Sequence, residues 1–133
     1  MTILPSSKIK DIIDQFSKQF DHLRIEFYEK HHKENEGSSI KTQLDHNISV
    51  ASLNPDLGEV KITLDEEMSV SEFEAMMHQK YKLNIQVFRN SAGTWLQTTS
   101  TDHWSLSKQN GKGRRSNLHY DIEPPKLQDF DLV

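Results

Sequence analysis

Apolar residues at Ile9, Ile12, Ile13, Phe16 and Phe20 form one stripe at helical spacing. Pro5 stands just ahead of the stripe, and Ser6 or Ser7 is placed to cap the helix it predicts. In the next segment, LRIEFY, Leu23, Ile25 and Phe27 share one face of a strand and Arg24 and Glu26 the other. A polar loop, HHKENEGSS, leads to a weaker extended segment, IKTQL. The pattern then repeats. EVKITL alternates Val60, Ile62 and Leu64 against Glu59, Lys61 and Thr63. A second helix starts at a Ser69–Glu72 capping box, with Met68 placed to staple onto Phe73, and continues the stripe through Val70, Phe73, Met77 and Tyr81. LNIQVF puts Leu83, Ile85 and Val87 on one strand face. NSAGT turns the chain, with Gly93 free to take positive φ, and TWLQTT returns as the partner strand.

The two rounds align. FSKQFDHLRIEFY matches MHQKYKLNIQVF with one residue deleted, DHNISVASLN matches DHWSLSKQN, and MTIL stands where EVKITL stands in the second round. A degenerate internal duplication of a β-α-β-β unit explains this, as does the physical similarity that all amphipathic helix–strand units share. The expected fold class is α+β: two layers, one mixed β-sheet with both helices on one face. The match predicts a compact domain over residues 1–110. Beyond Asn110, GKGRRSNLHYDIEPPKLQDFDLV holds no sustained period of either kind and reads as an extended or disordered tail over residues 111–133.

Composition narrows the picture. Leu, Ile, Val and Phe make up about a quarter of the 133 residues, above the level of about 20% that marks disorder. The absence of cysteine removes disulfides, thiolate catalysis and Cys-ligated zinc. A net charge of -4 argues against a dedicated nucleic-acid binder. The N-terminal MTILPSSKIK is too polar for a signal peptide and no stretch is long enough to span a membrane, so a cytoplasmic location is the default expectation.

Candidate chemistry is sparse. His31 and His32 with Glu34 and Glu36 resemble a loop of metal ligands, but adjacent histidines converge poorly on one ion and no second cluster completes a set of four. Asp45-His46 and Asp102-His103 lack any nucleophile-elbow motif and read as turn residues whose carboxylates accept backbone N–H groups. GKGRRS lacks P-loop spacing. No catalytic residue, metal site or cofactor is therefore assigned. Trp104, just before Ser105, reads as a staple that plugs the core end. Trp95, at the start of the return strand, is a candidate partner anchor. Arg89, Arg114 and Arg115 are candidate partner contacts, and the acidic–apolar tip with Phe130, Leu132 and Val133 could dock into a basic pocket.

The segment LNIQVFRNSAGTWLQTTSTDHWSL, in the second half of the chain, resembles small uncharacterised bacterial proteins, a likeness that implies no activity, cofactor or site residue. The expected function is a non-enzymatic protein–protein interaction or accessory module with a protein partner and no membrane association. The alternative is a nucleic-acid-associated accessory protein using Arg89, Lys108, Lys112, Arg114 and Arg115.

Overall fold

The computed structural model describes residues 1–32 and 36–122, the last four of these by their backbone alone. The first apolar stripe forms α1 (Ile9–Gln19), and its buried side is Ile9, Ile12, Ile13 and Phe16. Its cap is not a serine. Lys8 holds the N-cap position in extended conformation because its backbone pairs with Ser49 in an antiparallel bridge, which delays the first helical turn. Asp11 accepts from the Lys8 N–H at 2.9 Å, while the Ser7 hydroxyl accepts from the Leu4 N–H at 2.9 Å and closes the preceding turn. The second stripe forms α3 (Val70–Tyr81), and here the expected cap is present: Ser69 Oγ accepts from the Glu72 N–H at 3.1 Å. Between them lies the single-turn α2 (Val50–Leu53), capped by Ser49.

The strands are β1 (Thr2–Ile3), β2 (Leu23–Tyr28), β3 (Val60–Lys61), β4 (Asn84–Ser91) and β5 (Thr94–Gln97). The architecture is α+β, but the single mixed sheet expected from the pattern is replaced by two antiparallel ones, β1-β3 and β2-β4-β5. Each strand that flanks a helix pairs with its counterpart in the other half of the chain, Ile25 with Val87 and Phe27 with Ile85. Such exchange gives antiparallel ladders without any parallel crossover. Alternation tells which face of a strand is buried, not which strand lies beside it, so the pattern could not reveal this. IKTQL forms a 3-10 turn at Ile40–Thr42 and then a single bridge from Gln43 to Tyr28.

Leu23, Ile25, Phe27, Ile85 and Val87 join the apolar sides of α1 and α3 in one core, where Phe16 and Phe73 stack with centroids 5.4 Å apart. The helix starts are locked in pairs. Ile9 N donates to Ile48 O (2.9 Å) and Val50 N to Ser7 O (2.8 Å), and the second pair repeats this with Val70 N to Trp104 O and Leu106 N to Met68 O, both 3.0 Å. These bonds join equivalent positions of the two aligned segments.

The largest departure from expectation is α4 (Leu106–Ile122), which continues through the stretch read as the start of an extended tail. Its side towards the sheet is Leu106, Gln109 and Gly113. Only one of the three is a large apolar residue, so no hydrophobic period betrays the helix. Gln109 is held by the Arg89 guanidinium at 2.8 Å and itself donates to Thr101. At Gly113 a Cβ would lie 2.8 Å from His22 Cβ and 3.1 Å from Asn90 O, so only glycine lets α4 lie this close to β4.

Candidate binding site

The face of β2-β4-β5 turned away from the helices carries Arg24, Glu26, Phe88 and Trp95, set there by the alternation that sends Ile25, Phe27 and Val87 inward. Glu26 is nearly wholly buried although it sits on the polar phase of β2, because the chain after the 3-10 turn folds back beside it. Its carboxylate accepts from Arg24 Nη2 at 2.6 Å, from Gln43 Nε2 at 3.3 Å and from His46 Nε2 at 2.7 Å. That contact places a proton on His46 Nε2, since a bare imidazole nitrogen would repel the carboxylate. Tyr28 beside it donates to Gln43 at 3.3 Å. Burial, reinforced by the Glu26 charge, pushes the Tyr28 phenol up to about 12. Arg24, Glu26, Gln43, Phe88 and Trp95 line a hollow of about 160 Å³. Trp95 is 38% exposed at its rim. It is presented by a hairpin whose two-residue turn, Ala92 (φ 51°) and Gly93 (φ 87°), has both residues in the left-handed region.

A second polar cluster lies at the edge of β4. The strand β5 ends at Gln97, opposite Phe88, so Ile85 and Val87 present backbone groups there without a neighbouring strand among the described residues. The Thr98 N–H meets Val87 O at 3.2 Å, and side chains fill the rest of the gap. Glu74 Oε2 accepts from the Val87 N–H at 2.8 Å, and His32 Nε2 lies 3.1 Å from Ile85 O and 3.5 Å from Glu74 Oε1. Both residues are buried, and they line a cavity of about 320 Å³ together with His31, Ser71, Glu72 and Ala75. Burial pushes the Glu74 carboxyl above its ordinary range, a shift that His32 opposes and Asp102 adds to. His31 stacks on His78 at 3.7 Å between centroids. Its own burial, then His78 and His32, hold it below the usual imidazole range.

The structure separates the residues singled out in the sequence. Trp95 stands at the hollow. Arg89 points to the opposite face of the sheet and is wholly buried, near Gln109 and 5.7 Å from the Trp104 ring, so it is no surface contact. Arg114 and Arg115 are exposed on α4, and Phe130, Leu132 and Val133 lie outside the described residues, as does Glu34. Trp104 is half-buried rather than a sealed plug, with Lys108 Nζ over its ring at 4.2 Å. Asp45 does accept from the Asn47 N–H at 2.8 Å, as a turn residue should. The residues missed were Arg24, Glu26, Gln43 and Glu74, whereas His46 and His32 were weighed only as a turn residue and a metal ligand. A glutamate between two inward-facing apolar residues gave no sign that a distant loop would bury it. Among the described residues no group of three or more His, Asp or Glu could hold a metal ion. No helix among them is long and apolar enough to cross a membrane. No protein-family model matches the chain, and no curated protein or solved structure does.

Proposed function

We propose that the chain is a non-enzymatic, cytoplasmic interaction module that binds a protein partner through the outer face of its three-stranded sheet. The observation that carries this reading is Trp95, a large aromatic left 38% exposed beside a hollow whose floor is already polar and internally paired. An indole at the rim of a preformed depression offers much contact area at small entropic cost, which is why such residues dominate binding energy at interfaces. Phe88 extends the apolar wall, while Arg24 and Gln43 offer hydrogen bonds at its side. The repeated helix-start bonds support descent of the two halves from one duplicated unit, a reading that is ours and independent of the binding surface.

The test compares the full chain with Trp95→Ala in pull-downs from the source cell, with both melting curves recorded. A partner recovered by the parent and lost by a stably folded variant is the expected outcome. Equal recovery would remove the outer face from the function. The nucleic-acid reading now rests on Lys108, Lys112, Arg114 and Arg115 of α4 without Arg89. It requires an affinity that falls steeply with salt.

A further inference from the structure

The bonds at the edge of β4 explain only half of the Glu74–His32 pair. The Val87 N–H needs one acceptor and Ile85 O one donor, and a neutral glutamine could serve the first as well as a glutamate does. A carboxylate buried to 3% exposure is a costly way to fill that role. Glu74 also lines the cavity of about 320 Å³, which is at the lower end of small-molecule clefts (roughly 300–1,000 Å³).

The lining fixes the sign of the guest. Two carboxylates, Glu72 and Glu74, two imidazoles and the Ser71 hydroxyl face it, with no lysine or arginine among the described lining residues. Burial and its histidine neighbours hold His31 towards the neutral form, so of the two imidazoles only His32, 3.5 Å from Glu74 Oε1, answers the two acids. Glu72 already accepts the Ser69 hydroxyl at 3.0 Å and lies near the surface, whereas Glu74 sits deep. Ala75 and the histidine ring faces give an apolar flank. An anion would meet two carboxylates, and a purely apolar guest would add no donor to Glu74, whose oxygens take the Val87 N–H and the His32 contact with acceptor capacity to spare.

We propose that the cavity between the His31-His32 segment and the first half of α3 is a binding site for a small organic cation, a primary ammonium on a short apolar stem, held by Glu74. The ammonium donates to the buried Glu74 carboxylate, where a charge-assisted bond is strong. The stem lies along Ala75 and the histidine rings. This site is distinct from the surface around Trp95, and neither depends on the other.

The test titrates the full chain with three probes of one shape and different charge: n-butylammonium, n-butanol and butyrate. Backbone amides of Ser71, Ala75 and Val87 and the His32 ring are followed by NMR at pH 8. Saturable shifts with n-butylammonium alone are expected. Glu74→Gln should weaken them about tenfold or more, the weight of a charge-assisted bond. Ala75→Leu, which fills the cavity from a half-buried position and keeps both acids, should abolish them and decides the matter if E74Q does not fold. Butyrate or butanol binding as well as the amine, unchanged affinity in either folded variant, or no saturable shift with any probe would each overturn the proposal.

Discussion

Ala92 is, with Lys82, one of two non-glycine residues among those described whose backbone lies at positive φ. Its φ of 51° lies in the left-handed region, where an L residue other than glycine or asparagine loses roughly 1–2 kcal/mol. The position is the first of the two in a tight hairpin turn, for which Asn-Gly is the favoured pair. Ala92→Asn should therefore raise stability by about 1 kcal/mol in denaturant unfolding, and a loss would show that the alanine makes a contact worth more than the strain. Glu74 carries a strain of another kind. Its folded carboxyl binds a proton more tightly than in the unfolded chain. The native state is thus favoured while the group is protonated and loses that advantage as pH rises above the ordinary carboxylate value towards the raised one. Glu74→Gln, which keeps an acceptor for Val87, should gain on the parent in melting temperature as pH is taken from 4 to 8. A difference that stays flat across that range would mean that the His32 contact holds Glu74 ionised without cost.

Among the elements, α1, α3 and the inward faces of β2 and β4 could be read from the sequence, because each buries a stripe or an alternation of large apolar side chains. What lay beyond reach was set by features with no period. The alternation of EVKITL marked a strand but not that β1 and β3 would pair over two residues each, and the partner of each strand is fixed by tertiary packing. The site was less legible than the fold. Trp95 stood out by its size, but Glu26 becomes a hub only when Gln43 and His46 arrive from a distant loop. α4 went unread beyond Asn110 because Gln109 and Gly113 occupy its buried side. That helix yields a paired prediction. Gly113→Ala should destabilise by about 1–3 kcal/mol, the range for overpacking, since the new methyl meets His22 Cβ at 2.8 Å. Gly111→Ala meets only the mobile end of Arg115, at 3.2 Å. It should stabilise by up to about 1 kcal/mol through helix propensity. Thermal melts of the two variants check both, and shifts of the same sign would show that α4 does not pack on β4 through Gly113.

For the molecule as a whole, the fold does not stop at Asn110. Removing everything after that residue would strip Gly113 and its helix from β4 and uncover the Arg89 neighbourhood. The shortened chain should melt well below the full one, and a melting temperature unchanged within a degree or two would return α4 to the role of an appendage. The strand pairing carries a consequence for the order of events in time. The hairpin of β4 and β5 closes within a few residues, Ser91 against Thr94, and such hairpins assemble in about 1–10 μs. β2 has to wait for a partner far along the chain, Tyr28 for Asn84 and Leu23 for Arg89, and β1 waits likewise for β3. Closing large loops before any contact repays their entropy slows folding. In pulsed hydrogen exchange during refolding, amides shared by β4 and β5 should gain protection before those shared by β2 and β4. On the ribosome, α1 and β2 emerge with only each other's apolar faces for cover until β4 has been made. The first half of this protein is thus the part expected to depend most on chaperones during synthesis.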